Sequence, residues 1–323
     1  MLNIELEQNI QTDPLKWRCQ LLLLNITPKL PLKVQFLEGF SFPIISQLTV
    51  KTSVERFLGG RPGYSKESLF FWLLVKKITC WDYRSIASMA GISHPTLIRA
   101  NNLFILKGVY QRVFVSLVKL AWKQGLIKGK YVAMDSSFVK TFSGKEELGS
   151  EGFNGHKKAF GFKLHLLIDA QSQIPLALIL GNGLAADCTL AVPLLKKARP
   201  YLKKVGYVLA DKGYDDTDIV NWIVKSLNAK ASIPIREKSK LAKGKKLRYG
   251  NLINWRLKAK GRSFKKSIYH KRVSVERVFS FLKRTYHLGK EELKGILNFG
   301  KQVYLALISY MLKKLKAVGI TQI

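Results

Sequence analysis

The stretch YHKRVSVERVFSFLKR, Tyr269 to Arg284, holds one acid, Glu276, among six basic side chains counting His270. On a helix turning about 100° per residue, Tyr269, Arg272, Glu276 and Lys283 fall within an arc of roughly 60°. Val275, Val278, Phe279, Leu282 and Tyr286 form the adjoining apolar stripe. Such a helix is expected to bury one edge and present the four polar side chains along the next. A plain surface helix with an Arg–Glu pair at i,i+4 would show the same pattern.

Two more acids share a distinctive setting. KYVAMD (Lys130–Asp135) and KKVGYVLAD (Lys203–Asp211) read as short apolar strands, each ending in an acid. A carboxylate just past a strand is held by rigid backbone yet reaches solvent. Asp135, Asp211 and Glu276 would then supply the hard oxygen ligands that Mg²⁺ prefers. Two such ions can activate the attacking oxygen and stabilise the leaving one in an in-line phosphoryl displacement. The remaining acids read differently. Asp169 falls in a hairpin turn and reads as structural. Asp187 reads as a helix N-cap, with support near the metals as the alternative, and Asp215 and Asp216 start the next helix. Glu146, Glu147 and Glu151 occupy a Gly-rich loop after the first strand. The histidines lack paired zinc spacing, and no Walker-type phosphate loop is present.

The charge of the chain says what these acids work on. Across 323 residues, 55 Lys and Arg oppose 21 Asp and Glu, for a formal charge of +34. A field of this size attracts polyanions, nucleic acid foremost. Anionic membrane is the rival partner, but no apolar run is long enough to span a bilayer, and the Leu21–Leu24 run does not read as a signal peptide. Cys19, Cys80 and Cys188 have neither disulfide nor metal spacing. A reduced, cytoplasmic, nucleoid-associated location is expected.

Stepping along the chain, residues 1–60 read as an N-terminal arm or adaptor, punctuated by prolines and Gly59-Gly60. Residues 61–127 read as helical. A helix capped by Ser65 opens the region. Ser85–Met89, the turn at Gly91, the cap at Ser93 and Pro95 in the next first turn follow the plan of a helix-turn-helix. Its second helix would offer His94, Thr96, Arg99 and Asn102 to a DNA groove. A helix over Val109–Gly125 closes this region. From residue 128 the pattern is mixed: three strands, with a hairpin turn at Ala170–Gln173, then helix, strand, helix, strand (Ala229–Ile235) and helix. A basic insertion at about 236–268 follows. From Arg236 to Arg272 there are fifteen Lys or Arg and one acid, Glu237, with Tyr249, Trp255 and Phe264 interleaved. Lys243, Lys245 and Lys246 are its candidate phosphate contacts.

The spacing Y-x2-R-x3-E-x6-K of Tyr269, Arg272, Glu276 and Lys283, with AMDSS around Asp135 and LADKGYD around Asp211, resembles the signature of DDE transposases of insertion-sequence families four and five. The resemblance covers about residues 130–316. It implies an RNase H-like mixed sheet flanked by helices over 128–323, an α/β catalytic domain preceded by the all-α helix-turn-helix region. It implies Asp135, Asp211 and Glu276 as catalytic metal ligands for two Mg²⁺ ions, with Mn²⁺ able to substitute. Tyr269, Arg272 and Lys283 would handle transposon-end phosphates or orient Glu276. Some relatives carry a large β-rich insertion between the second and third acids, where this chain has its basic segment. The expected partners are double-stranded DNA, as terminal inverted repeats and target, and a second copy of the chain in a homodimeric synaptic complex. A stand-alone metal-dependent nuclease of the same fold and an inactive DNA-binding regulator are the alternatives.

Overall fold

The computed structural model of the chain describes residues 64–234, 265–290 and 294–320. The expected arm at 1–60 lies outside them, as does most of the basic insertion, including Lys243, Lys245 and Lys246. The described residues divide into two compact units, one holding those within 64–117, 285–288 and 300–320, the other those within 118–234, 265–284, 289–290 and 294–299.

The first unit is helical. Helix α1 (Lys66–Thr79) starts at Ser65, whose hydroxyl accepts from the Ser68 amide, as its sequence signals. Helix α2 (Tyr83–Ala90) is capped by Asp82 and ends at Gly91, which takes a left-handed φ of +66° that a side chain would resist. Helix α3 (His94–Leu106) follows with Pro95 in its first turn. Its Ser93 cap makes no bond to a backbone amide and instead pairs with the Thr96 hydroxyl at 2.8 Å. Phe70, Trp72, Ile86, Leu97, Phe104 and Tyr110 are buried together, and Phe70 meets Phe104 and Tyr110 at ring distances of 5.9 and 5.6 Å. Fully burying each such side chain is worth about 1.5–3 kcal/mol. Buried Asn101 donates to Tyr83 and accepts from Tyr110, both at 2.6 Å, so its polar ends are satisfied. Helix α4 (Val109–Lys123) ends two residues earlier than the expected Gly125.

The second unit is a five-stranded mixed sheet, in the order β3-β2-β1-β4-β5. Strands β1 (Tyr131–Lys140), β2 (Gly161–Asp169) and β3 (Pro175–Asn182) form an antiparallel meander. Strands β4 (Tyr207–Leu209) and β5 (Lys230–Ser232) add in parallel beside β1. Both are shorter than the apolar runs that announced them. The hairpin turn between β2 and β3 lies where Ala170–Gln173 predicted it. Helix α5 (Asp187–Ala198) packs on β2 and β3, and helix α6 (Thr217–Leu227), capped by Asp216, packs beside β5. Asp187 is the first residue of α5 rather than its cap, because Ala186 takes the extended cap conformation. That leaves its carboxylate free for other partners.

The C-terminal elements depart from a single regular helix. Helix α7 (Lys266–Tyr269) runs into a 3-10 turn, His270–Arg272, before helix α8 (Val273–Arg284). At three residues per turn, positions i and i+3 eclipse, and the Arg272 guanidinium lies over the Tyr269 ring, 5.6 Å from its centroid. Val275, Val278, Phe279, Leu282 and Tyr286 are all buried, as the apolar stripe required. Helix α9 (Ile296–Ala317) completes the chain. Among the described residues no helix is long and apolar enough to cross a membrane.

Candidate active site

Asp135 does not end its strand. It is the fifth residue of a ten-residue β1, because β2 is long enough to pair with Ser136, Ser137, Phe138, Val139 and Lys140 as well. What ends near Asp135 is the pairing with β4. The parallel register runs Tyr131 to Tyr207, Val132 to Val208 and Ala133 to Leu209. Two residues further along each chain lie Asp135 and Asp211, level with one another. The pairing of β1 with β4 stops there, with one acid on each chain just beyond it, near enough that the Asp211 charge raises the Asp135 pKa.

Asp211 then turns the chain. Its Oδ1 accepts from the Gly213 amide at 2.7 Å and caps a 3-10 turn over Lys212–Tyr214. A Cβ on Gly213 would stand 2.7 Å from that oxygen, so a side chain here would push the Asp211 carboxylate aside.

The third acid arrives through an arginine. Arg272 Nη1 donates to Asp135 Oδ2 at 2.8 Å, and its Nη2 donates to Glu276 Oε1, one helical turn on. Asp135 is 19% exposed and Arg272 16%, against 47% for Glu276. Burial pushes the Asp135 carboxyl up to about 6; Asp211 and Glu276 push the same way, while the Ser136 amide and Arg272 oppose the rise. Asp135 therefore feels the charge of both other acids. Lys283 donates to the Phe138 carbonyl at 3.3 Å, and burial, aided by Lys157, lowers its pKa. Arg272 and Lys283 thus reach β1 at Asp135 and Phe138, and Tyr269 and Glu276 stand beside Arg272. Among the described residues, no three His, Cys, Asp or Glu side chains stand close enough together to cage an ion.

Alternation along β1 and β2 places a second polar group on the opposite face. Ser136 pairs with His165, so His165 points away from Asp135. There, His165 Nδ1 lies 3.6 Å from Asp187 Oδ1, and Lys163 Nζ reaches the same oxygen at 3.4 Å and the Ala185 carbonyl at 2.8 Å. Burial lowers the His165 pKa to about 4, although Asp187 pulls the other way, so the ring is neutral at pH 7. Beside them, the fully buried Tyr214 hydroxyl has no hydrogen-bond partner. Burial first, then Asp187, Asp135 and Asp211, drives its pKa well above the usual value. This under-layer had a signal in the sequence. Lys163 and His165 are the two polar residues inside GFKLHLLID before its terminal Asp169, spaced by two and so on one face of an otherwise apolar stretch.

The other acids have local occupations. Asp169 is buried and accepts from the Gly129 amide at 2.9 Å and from the Ser172 amide and hydroxyl at 2.8 and 2.7 Å. Glu147 accepts from Ser143 and from the Gly295 amide, Glu146 from Gly152, and Glu151 from Gly149. In the first unit, His94 and Arg99 are exposed on α3, Thr96 is half-buried, and Asn102 accepts from Lys301.

A meander of three antiparallel strands extended by two parallel ones, with helices against it and acids level on the two central strands, defines an RNase H-like α/β scaffold. The family described as the transposase DDE domain matches residues 128–312. That is more than half of the chain, and the chain belongs to this family. No curated protein is significantly similar in sequence. Among solved structures, the chain is similar to the piggyBac transposase in its synaptic complex with hairpin DNA, at 9% identity over 88% of this chain and 74% of that one, with a TM-score of 0.47. It is also similar to the Mos1 transposase in its paired-end complex with the left transposon end, at 10% identity over 85% and 93%, with a TM-score of 0.24. The family assignment rests on the match over 128–312, not on these superpositions.

Proposed function

We propose that the chain is a transposase of the Tyr-Arg-Glu-Lys type, close to insertion-sequence families four and five. In this reading it binds terminal inverted repeats, cleaves DNA at the transposon ends and joins the freed 3′-hydroxyl to target DNA. The observation that carries it is Arg272, which binds Asp135 of the first strand and Glu276 of the signature helix at once, with Asp211 level beside them.

The donor set fits divalent cations in its chemistry. Asp135, Asp211 and Glu276 offer hard carboxylate oxygens on a sheet and a helix, close enough that one acid's pKa responds to the other two. A guanidinium between two of them marks a place where positive charge is needed. Mg²⁺ or Mn²⁺ bound there would activate the attacking oxygen and stabilise the leaving one. For its part the protein would release Asp135 and Glu276 from Arg272 and keep Asp211 fixed by the Gly213 turn. Arg272, a planar fork suited to phosphate oxygens, would move to the DNA backbone. Lys283 and Tyr269 would hold the same strand. Water would first open the phosphodiester at the transposon end, and the 3′-hydroxyl so released would attack target DNA, without a covalent enzyme intermediate.

The α2–turn–α3 pair would read the repeat through Arg99 and its neighbours. Lys243, Lys245 and Lys246 would track phosphates without choosing sequence. The domain division would follow: an arm to residue 60, the reading helices over 61–127, and the catalytic domain over 128–323. A homodimer would pair the two ends. The test is a cleavage-and-joining assay on end DNA with Mg²⁺ or Mn²⁺. Strand-transfer products from the wild type support the reading, and cleavage without any joining would make the chain a nuclease instead.

A further inference from the structure

The loop between β1 and β2 contains a small built element that the catalytic reading does not use. The sequence FNGHKKAF, Phe153 to Phe160, folds back on itself. Asn154 and Ala159 exchange backbone hydrogen bonds at 3.0 and 3.3 Å, and the Asn154 carboxamide accepts from the Lys157 amide at 2.9 Å. Lys158 takes a left-handed φ of +47° to close the turn. The hairpin is also anchored at its base, where Asn154 Nδ2 donates to the Gly183 carbonyl at 2.7 Å. Gly152, at φ +87°, seats it closely, since a Cβ there would stand 2.2 Å from Leu184 Cδ1.

This fixed hairpin presents an unusual surface. His156, Lys157 and Lys158 are exposed in succession at its tip. Phe153 remains 53% exposed although Phe160 buttresses it edge-on at 5.3 Å and 74°. A ring met by one perpendicular neighbour and still more than half exposed keeps a face available for stacking. The nearby Glu146 and Glu151 turn to the Gly152 and Gly149 amides within the loop, and among the described residues neither forms an ion pair with Lys157 or Lys158. Lys157 also lies near enough to Lys283 for their like charges to oppose each other. The tip therefore belongs to the same edge of β1 as the proposed end-binding residues.

An open aromatic face among exposed cations is the composition that binds unpaired nucleic-acid bases, stacking supplying affinity and cations following the phosphates. We propose that residues 153–160 form a finger that holds an unpaired nucleotide of the DNA strand beside the active-site edge, with the base on Phe153 and phosphates on Lys157 and Lys158. The inference rests on the transposase reading for the choice of DNA. It adds a contact to single-stranded DNA that the paired acids do not require.

The experiment uses the full chain, a blunt duplex, and the same duplex carrying a short single-stranded 3′ extension, with affinities read by fluorescence anisotropy. Wild-type protein should prefer the extended duplex. Phe153→Ala should lose that preference by about 5- to 150-fold, leave binding to the blunt duplex unchanged, and melt at the wild-type temperature. Phe153→Tyr should restore it. Lys157→Ala with Lys158→Ala should weaken both duplexes and flatten the log–log salt dependence by about two units. An undiminished preference in Phe153→Ala would overturn the finger, as would an unchanged salt slope in the double variant. If the wild type nicks and joins end DNA yet binds both duplexes equally, the finger falls and the transposase reading stands. If it binds neither duplex, both fall.

Discussion

Arg272 Nη1 sits 2.8 Å from Asp135 Oδ2 and its second amino group holds Glu276, so one side chain joins the central strand to the signature helix. The pairing brings together residues more than a hundred positions apart, and its one positive charge offsets part of the repulsion between two acids. The same cation then competes with any metal for those oxygens.

Arg272→Gln should therefore bind Mn²⁺ more tightly than the wild type in the absence of DNA. One close charge at an effective dielectric near 20 is worth a few kcal/mol, so a gain of about tenfold or more is expected by calorimetry. DNA affinity should fall in the same variant. Weaker Mn²⁺ binding would mean that Arg272 instead holds the carboxylates ready to ligate.

Asp135 makes the metal-free protein pH-sensitive. Its folded pKa, about 6, lies above the ordinary value of 3.8, so the folded state retains a proton that the unfolded state loses. The contribution is fully present below about pH 4 and disappears as pH rises through about 6. One pKa unit corresponds to about 1.4 kcal/mol, which sets an upper bound near 3 kcal/mol. Urea denaturation at pH 4, 5, 6 and 7 should show this decline in wild-type protein, and Asp135→Asn should lack it.

Glu276→Gln should separate chemistry from binding. The substitution keeps the size of the side chain and leaves buried Val275 and Phe279 in place. The folded variant is expected to bind end DNA as the wild type does but neither nick nor join it, even in Mn²⁺, with Asp135→Asn and Asp211→Asn alike. Retained cleavage in Glu276→Gln, with loss in Glu146→Gln or Glu151→Gln, would move the third ligand into the β1–β2 loop.

Asp169→Asn offers the contrast. The buried carboxylate accepts from Gly129 and twice from Ser172, and an amide cannot accept at both ends. A loss of about 1–3 kcal/mol in stability is expected from denaturant titration, with cleavage retained at permissive temperature.

Arg99→Ala tests the reading helix. Arg99 is exposed on α3, and a bidentate base contact would be worth about 1–3 kcal/mol of discrimination. Binding to the terminal repeat should weaken by that amount while binding to random duplex changes little. Equal losses on both DNAs would assign Arg99 to the phosphate backbone.

Local chemistry made much of the fold legible in the sequence. Ser65, Asp216 and Gly91 announce helix ends because capping and left-handed turns depend on neighbouring residues alone. The alternating polar turn between two apolar runs announces the β2–β3 hairpin, and the stripe from Val275 to Leu282 announces the buried edge of α8. The three acids could be singled out because so few acids stand in so basic a chain. Which neighbours those acids have is a different matter. Ser136 and Ser137 break the apolar run after Asp135, yet the strand continues, since β2 supplies hydrogen bonds that no local pattern records. The level placement of Asp135 and Asp211 follows from a parallel register across a long crossover. Asp187 loses its expected cap role because Ala186 takes the cap position, and its carboxylate meets Lys163 and His165 on a strand folded beneath it. Arg272 reaches Asp135 across the sheet edge only once β1 and α8 have packed. Caps, turns and stripes are properties of a few consecutive residues and were determined by the sequence itself. Pairings between distant charges are set by strand register and helix docking, and those only the tertiary structure decided.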